Sequence, residues 1–151
     1  MVKVVLDTNI LISAFLWGKK VKKSILPLIE ENKVAICFSQ ETLNELLGVM
    51  SRKKFAPKFT KLSLTPRLLV DRIVDRENVI ILKKPLPTYS EPIVEKDPSD
   101  DKFLYLAKEA KADYVVSGDK HLLSLGEFEA IKIVSVDRFL TLISSPPTSQ
   151  I

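Results

Sequence analysis

The sequence predicts a three-layer α/β/α sandwich with a mainly parallel central sheet. Short, continuous apolar runs alternate with helical segments along the chain, which is typical of parallel strands covered on both faces. Residues that commonly cap helices follow several of these runs. The length of 151 residues and the hydrophobic content of 46% suit a single domain with a core of its own.

The first half of the chain is predicted to contain two strands and three helices. The β-branched run Val2–Leu6 is the first strand, and a helix follows from about Ile10. The next helix is predicted over about Lys20–Glu31, either kinked at Pro27 or beginning near Ser24, because proline disrupts a helix interior. An apolar run, a capping serine and an apolar repeat at helical spacing then predict the second strand and the third helix. These are Val34–Phe38, Ser39, and Leu43, Leu46, Leu47 and Met50, with the helix ending at about Ser51.

A helix, a strand and a long loop come next. Thr65-Pro66 supplies an N-cap and a first-turn proline for a helix to about Arg76, and Val79–Leu82 is the third strand. The proline-rich segment Lys84–Pro98 is predicted to be irregular. Asp97-Pro98 then begins a helix whose apolar residues are Phe103, Leu104, Ala107 and Ala110.

The chain is predicted to close with two strands and two short helices. Tyr114–Val116 is a strand, a helix covers about residues 120–125, and Ile131–Val134 is the last strand. Asp137 is expected to cap the C-terminal helix. We therefore expect residues 1–143 to form one domain and residues 144–151 to form a flexible tail.

Composition argues against a membrane or secreted protein. The longest apolar stretch, Ile10–Trp17, is interrupted by Ser13 and is far shorter than the roughly 20 residues that span a bilayer. Asp7 interrupts the apolar N-terminus, so no secretory leader is predicted. Cys37 is the single cysteine, which excludes an intrachain disulfide and favours a buried apolar role. We expect a soluble, cytoplasmic protein without a membrane partner.

Ten of the basic residues form two clusters, although the net charge is only +4. The first cluster is Lys19, Lys20, Lys22 and Lys23, and the second, in the acid-free stretch 51–67, is Arg52, Lys53, Lys54, Lys58, Lys61 and Arg67. The rest of the chain is rich in acids, and this division suits a polyanion held against a metal site. The alternative, which we favour for the clusters taken alone, is that these lysines merely solvate helix ends. Phe55 and Phe59 could stack on bases or, as we favour, anchor the second cluster in the core.

Several carboxylates are predicted to meet at the carboxyl edge of the sheet, where parallel sheets bind ligands. Asp7 and Asp119 directly follow predicted strands. The other candidates lie on helices and are Glu41, Glu45, Asp100 and Asp101. Each has a structural alternative: Asp119 could cap the next helix, and Glu45 shares a face with Glu41 that could be solvated. Spacing alone leaves the choice open.

An all-carboxylate cluster suits a hard divalent cation. Carboxylates brought together raise one another's pKa unless a cation compensates their charge. Mg²⁺ and Mn²⁺ prefer oxygen ligands and can activate water for phosphodiester hydrolysis. His121 is the only histidine and Cys37 the only cysteine, so a tetrahedral zinc site is not expected.

Four segments resemble the motifs of the PIN-domain nucleases, in the family's order and across roughly Val2–Leu142. They are Val5–Ala14, Glu41–Leu46, Asp97–Leu104 and Ala112–Leu123. The resemblance is closest to the VapC-like toxins of toxin–antitoxin pairs. It implies a Mg²⁺- or Mn²⁺-dependent endoribonuclease whose catalytic and metal-binding acids are Asp7, Glu45, Asp101 and Asp119.

The resemblance also implies roles for neighbouring residues. Asp101 rather than Asp100 falls on the family's aspartate, although such close neighbours could exchange roles. Asn9 and Ser117 occupy polar positions that help to hold the site or its waters. His121 departs from the family's pattern, because many relatives carry another aspartate at this position. The resemblance implies that the missing carboxylate weakens a second metal position.

RNA, a cognate antitoxin and a homodimer or larger oligomer are the partners that the resemblance implies. The two basic clusters, especially Lys19, Lys20, Lys22, Lys23, Arg52, Lys53 and Lys54, would steer and grip the RNA backbone. A non-catalytic RNA-binding or scaffold module on the same fold is the main alternative. A receiver domain would need an acid pair where this chain has Asp7-Thr8, and no Gly-x-Gly-x-x-Gly motif supports dinucleotide binding.

Overall fold

The computed structural model describes residues 1–87, 93 and 100–144. Strands within these ranges form one sheet of six strands in the order β3-β2-β1-β4-β6-β5. The strands are β1 (Val2–Leu6), β2 (Val34–Ser39), β3 (Val79–Leu82), β4 (Tyr114–Val116), β5 (Glu127–Phe128) and β6 (Ile131–Val134). Only β5 runs antiparallel to its neighbour. The predicted mainly parallel α/β fold is confirmed.

Helices cover both faces of the sheet. They are α1 (Thr8–Trp17), α2 (Leu26–Glu30), α3 (Gln40–Met50), α4 (Ala56–Leu62), α5 (Pro66–Val74), α6 (Asp101–Ala110), α7 (Lys120–Leu125) and α8 (Val136–Ser144), with a 3₁₀ turn at Lys53–Phe55. Buried residues of α1 to α5 and α8 share one apolar cluster with Val4 and Ile36 of the sheet. Those of α6 and α7 share a second cluster with Val5 and Cys37. Successive strand residues point to opposite faces, so the two clusters define three layers.

The predicted helix starts were correct where a capping side chain marks them. Ser39 caps α3 in a capping box with Thr42, and Thr65 accepts a hydrogen bond from the backbone N–H of Leu68 at 3.1 Å. The longer form of the second predicted helix is wrong, because α2 begins only at Leu26. Ser24 accepts a hydrogen bond from the backbone N–H of Leu26 at 3.1 Å, which confirms the alternative start near Ser24.

Three features of the structure differ from the sequence predictions. The short helix α4 was not predicted, because Phe59 is its only buried residue and no apolar repeat marks it. Strand β5 has two residues, too few to give a pattern. Asp137 does not cap α8: the helix begins one residue earlier, and Ser135 Oγ accepts a hydrogen bond from the backbone N–H of Arg138 at 3.1 Å.

Some predictions lie wholly or partly outside the described residues. The proline-rich loop falls there over 88–92 and 94–98, as does the helix start at Asp97-Pro98; α6 begins at Asp101 in the described part. Ser144, where the tail was expected to start, is the last residue of α8, and 145–151 are not described. No helix of the described ranges is long and apolar enough to span a membrane.

Strand register places the candidate acids at one edge of the sheet. Strand β1 lies between β2 and β4, and Leu6 is the register partner of Val116. Asp7 and Ser117, the next residue of each strand, are therefore neighbours. The backbone N–H of Asp7 continues the ladder by donating to the carbonyl of Val116 at 3.1 Å.

Candidate active site

Asp7 is a buried carboxylate at the carboxyl end of β1. It caps α1, because Oδ1 accepts a hydrogen bond from the backbone N–H of Ile10 at 2.9 Å. Oδ2 accepts a hydrogen bond from the hydroxyl of Ser117, which is itself fully buried. Burial raises the pKa of Asp7, these hydrogen bonds oppose the rise, and the negative charge of Asp119 adds to it. The carboxylate is thus held in place in an environment that disfavours its charge.

Asp119 joins this centre from the end of β4. Its backbone N–H donates to Ser117 Oγ at 2.9 Å, so one hydroxyl contacts both acidic residues. Asp119 Oδ1 accepts from the backbone N–H groups of His121 and Leu122 at 2.7 and 3.2 Å and caps α7. Asp119 therefore does cap the helix that follows it, as the structural alternative proposed. It does not remove Asp119 from the site, because both capping bonds use Oδ1.

Glu45 reaches the same edge from the middle of α3. Its Oε2 accepts a hydrogen bond from the hydroxyl of Thr8, the residue after Asp7. Its Oε1 accepts a hydrogen bond from Lys102 Nζ at 2.7 Å, and both side chains of this ion pair are partly buried. Lys102 was not predicted as a site residue. The available signal was its place directly after the acid pair Asp100-Asp101.

Glu41 has a different position from Glu45, although the two share a helix face. Its Oε2 accepts a hydrogen bond from the backbone N–H of Leu86 at 2.8 Å, in the segment after β3. This bond is the main reason that the pKa of Glu41 is lowered. The structure thus separates two acids that periodicity could not distinguish: Glu41 holds a chain segment, and Glu45 contacts residues next to Asp7 and Asp101.

Asp101 is buried at the first position of α6. Its Oδ2 accepts a hydrogen bond from the backbone N–H of Ile93 at 2.9 Å and lies 3.4 Å from the hydroxyl of Tyr105. Asp100 precedes it at the N-cap position, and one of its carboxylate oxygens is buried. The start of α6 therefore carries two buried or partly buried acids, Asp100 and Asp101, directly before Lys102, which pairs with Glu45.

The remaining supporting residues lie around this centre. Asn9 is exposed in the first turn of α1. His121 is half-buried in the first turn of α7, with Nδ1 3.7 Å from Asp119 Oδ1.

Comparison with known proteins supports one family for this arrangement. The chain matches the PIN domain over residues 3–121, a range that includes all of the candidate acids. It belongs to the PIN domain family. The chain is also 32% identical over 124 residues to an uncharacterized protein from Methanocaldococcus jannaschii, covering 82% of this chain and 75% of that protein. PIN domains are generally nucleases, and they typically use divalent metal ions.

The candidate ligands of this PIN domain are of the chemical type that a hard divalent cation prefers. In the described part of the chain they are not already arranged around a common metal position. Within the described residues, no group of three or more His, Cys, Asp or Glu side chains stands close enough together to hold a metal. The strand-end acids are joined instead through the Ser117 hydroxyl, and Glu45 is linked to the same edge through Thr8 and Lys102. All candidate ligands are oxygens. Burial, with a smaller contribution from the charge of Asp119, raises the pKa of Asp7, and a nearby cation would favour its charged form.

The basic clusters of the PIN domain are exposed and lie apart from the acids in sequence. Lys19, Lys20, Lys22, Lys23, Arg52, Lys53 and Lys54 are all exposed. Lys23 forms an ion pair with Asp137 at 2.7 Å, so its charge is partly balanced. Phe59 is buried and anchors α4 as favoured from the sequence, whereas Phe55 is half-buried and contacts Trp17.

Proposed function

We propose that this protein is a Mg²⁺- or Mn²⁺-dependent endoribonuclease that hydrolyses RNA phosphodiester bonds. The observation that carries the proposal is the position of Asp7, buried in a PIN domain beside Asp119 and held by Ser117. Two neighbouring carboxylates in such a place tolerate their charges best with a cation beside them. Their oxygen ligands favour Mg²⁺ or Mn²⁺ over softer metals.

Asp7, Glu45, Asp101 and Asp119 are the residues that would hold the cation. Bound there, Mg²⁺ or Mn²⁺ would supply a Lewis acid that activates water and stabilises the charge developing on the phosphodiester. Ser117 orients Asp7, and Thr8 orients Glu45, so both carboxylates have fixed positions before substrate arrives. Lys102 compensates the charge of Glu45 in the described arrangement.

RNA would be held by the two basic clusters. Lysine and arginine side chains neutralise backbone phosphates and release counterions, so binding should weaken steeply as salt rises. The exposed clusters supply that charge, while the acids lie at the carboxyl edge of the sheet. The protein would therefore bind the polyanion away from its acidic centre and present one phosphodiester to it.

A toxin role with a cognate antitoxin, in a homodimer or larger assembly, is the biological setting that we propose. It is supported by the similarity of the four motifs to those of VapC-like toxins. A non-catalytic RNA-binding module is the second candidate. The Lys102–Glu45 ion pair favours it, because a lysine already neutralises one of the expected metal ligands.

Cleavage of a mixed-sequence RNA pool tests the proposal. Purified protein should cut RNA with Mg²⁺ or Mn²⁺ and should fail to do so in EDTA. Asp7→Asn should fail as well, although asparagine can still cap α1 and the fold should persist in circular dichroism. Cleavage by the Asp7→Asn variant at the wild-type rate would refute the assigned site, and RNA binding without any metal-dependent cleavage would favour the non-catalytic module.

A further inference from the structure

Lys102 is a cation placed among the acids at the carboxyl edge of the sheet. Its Nζ donates a hydrogen bond to Glu45 Oε1 at 2.7 Å, across a sequence separation of 57 residues. The two side chains are 24% and 29% exposed, so they are largely shielded but can still be reached from solvent. The other ion pairs of lysine in the described part of the chain lie on exposed surfaces. The position of Lys102 therefore differs from that of an ordinary surface lysine.

Both carboxylate oxygens of Glu45 are engaged with protein groups. Oε2 accepts a hydrogen bond from the hydroxyl of Thr8, which follows Asp7 in the chain, and Oε1 accepts the hydrogen bond from Lys102. Thr8 holds Glu45 toward the strand-end acids, whereas Lys102 supplies positive charge. Glu45 cannot keep the ammonium on Oε1 and offer the same oxygen to a metal ion. The ammonium is therefore the group that would move if this oxygen became a ligand.

The place of Lys102 within α6 does not favour the stability of the helix. Lys102 is the second residue of α6, directly after Asp101. The partial positive charge at a helix N-terminus favours acidic side chains and disfavours cations. An ion pair between partly exposed groups contributes little to the free energy of unfolding. A lysine at this position is thus poorly explained as a stabilising residue.

The charge of the acidic edge indicates what a lysine could do there. The strand-end acids meet at Ser117, and Glu45 is held beside them through its bond to Thr8. An RNA phosphodiester is also an anion, so these carboxylates repel it unless positive charge lies next to it. Lysine is a common ligand of phosphate groups, and its flexible four-carbon stem lets the ammonium change partner. Lys102 thus places a phosphate-binding group directly beside the acids.

We propose that Lys102 is a further catalytic residue, whose ammonium exchanges Glu45 for a non-bridging phosphate oxygen of the bound RNA. In the hydrolysis, water adds to phosphorus and the P–O ester bond breaks. The electrons of that bond go to the leaving oxygen, and the proton lost by the water reaches this oxygen through solvent. Lys102 transfers no proton; its charge stabilises the phosphate in the transition state. The inference rests on the proposed function, because it adds a residue to the same site.

RNA binding in EDTA tests the exchange of partners without cleavage. The full chain and its Glu45→Gln, Lys102→Gln and doubly substituted variants are titrated with a fluorescein-labelled RNA of mixed sequence, and fluorescence anisotropy gives each Kd. With Glu45 present the ammonium is paired, so Lys102→Gln should change the Kd by less than about twofold. With Glu45→Gln the ammonium can turn to phosphate, so Lys102→Gln should weaken binding by about fivefold or more. Equal effects of Lys102→Gln in both backgrounds would refute the exchange.

Single-turnover cleavage measures the catalytic contribution of Lys102. Lys102→Gln should lower the rate at saturating RNA by at least about tenfold, with little change in the RNA concentration that gives half the maximal rate. Lys102→Arg keeps the charge and should recover much of the rate. Lys108→Gln, which breaks an exposed ion pair on the same helix, should cleave as the wild type does.

A wild-type rate of Lys102→Gln at saturating RNA would overturn the catalytic role. Failure of Lys102→Arg to cleave faster than Lys102→Gln would also contradict it, because the role depends on charge. A wild-type protein that binds RNA but never cleaves it would refute the proposed function. The comparison of Kd values in EDTA would still decide whether Lys102 contacts phosphate, so the two failures are distinguishable.

Discussion

The hydroxyl of Ser117 donates a hydrogen bond to Oδ2 of Asp7 across a sequence separation of 110 residues. The same oxygen accepts a hydrogen bond from the backbone N–H of Asp119 at 2.9 Å. Ser117 is completely buried, so this short link is shielded from water. The distance between the two strand-end acids is therefore set by the register of β1 and β4 and by one serine side chain.

Replacing Ser117 by alanine should weaken the binding of Mn²⁺ to the protein by about tenfold. A hydrogen bond to a charged group contributes about 1.5–3 kcal/mol, and without it Asp7 would lose its orientation and its pKa would rise further. Isothermal titration calorimetry with Mn²⁺ measures the effect. Ser124→Ala is the matched control, because Ser124 is exposed and only donates to the carbonyl of His121. Unchanged Mn²⁺ affinity in Ser117→Ala would contradict this role.

The metal-free protein should be stabilised by Asp7→Asn at neutral pH. Burial raises the pKa of Asp7 in the folded chain above its ordinary value of 3.8, so the folded state holds its proton to higher pH than the unfolded state does. Stability from this group is therefore present at low pH and falls as pH rises through the window above 3.8. Asparagine does not ionise, so the Asp7→Asn variant does not lose this stability as the pH rises.

Thermal melting in EDTA at neutral and at acidic pH measures this difference. The variant should melt a few degrees above the wild type at neutral pH, and the gap should close below the pKa window. Added Mg²⁺ should raise the melting temperature of the wild type much more than that of the variant. A variant that melts lower than the wild type at neutral pH in EDTA would show that the Asp7 charge is already compensated.

Glu45→Gln and Glu41→Gln should separate the two acids on one face of α3. Glu45 contacts Thr8 and Lys102, so its neutralisation should slow RNA cleavage by at least about tenfold. Glu41 holds the backbone N–H of Leu86, which a glutamine oxygen can also do, so this variant should cleave at close to the wild-type rate. Single-turnover cleavage of one RNA by both variants is the measurement. The reverse order of activities would refute the assignment of Glu45.

Removing the Lys102 ammonium should strengthen Mn²⁺ binding severalfold. Its ion pair with Glu45 at 2.7 Å opposes the use of that carboxylate as a metal ligand. Lys108→Gln on the same helix is the matched control, because it breaks the exposed ion pair with Glu129 at 3.1 Å and leaves the site untouched. Calorimetric titrations of Lys102→Gln and Lys108→Gln compare the two. A weaker affinity in Lys102→Gln alone would mean that the lysine supports the metal site.

Patterns within a few residues were enough to predict most of the fold. Continuous apolar runs marked the parallel strands, and Ser39 and Thr65 marked helix starts because capping is a local interaction. The positions of Asp7 and Asp119 at strand ends also followed from the sequence, since parallel strands align their carboxyl ends at one edge. Residue type and chain order sufficed for these conclusions.

The remaining features depend on packing between segments. Glu41 and Glu45 lie one turn apart on the same face of α3, so their spacing does not distinguish them. Only their contacts do, because Glu45 contacts Thr8 and Glu41 contacts Leu86. Lys102 reaches Glu45 because α6 packs across from α3, which no local pattern reports. Helix α4 lacks an apolar repeat and is stabilised mainly by one buried ring, that of Phe59.

The central place of β1 also governs when the site can form during synthesis. A chain leaves the ribosome from its N-terminus, so β1 emerges first, and β2 follows soon afterwards. The β4 neighbour of β1 is translated much later, because Ser117 follows Asp7 by 110 residues. Until then Asp7 lacks its serine and its acidic neighbour. The acidic centre of this PIN domain is therefore incomplete until β4 has been synthesised.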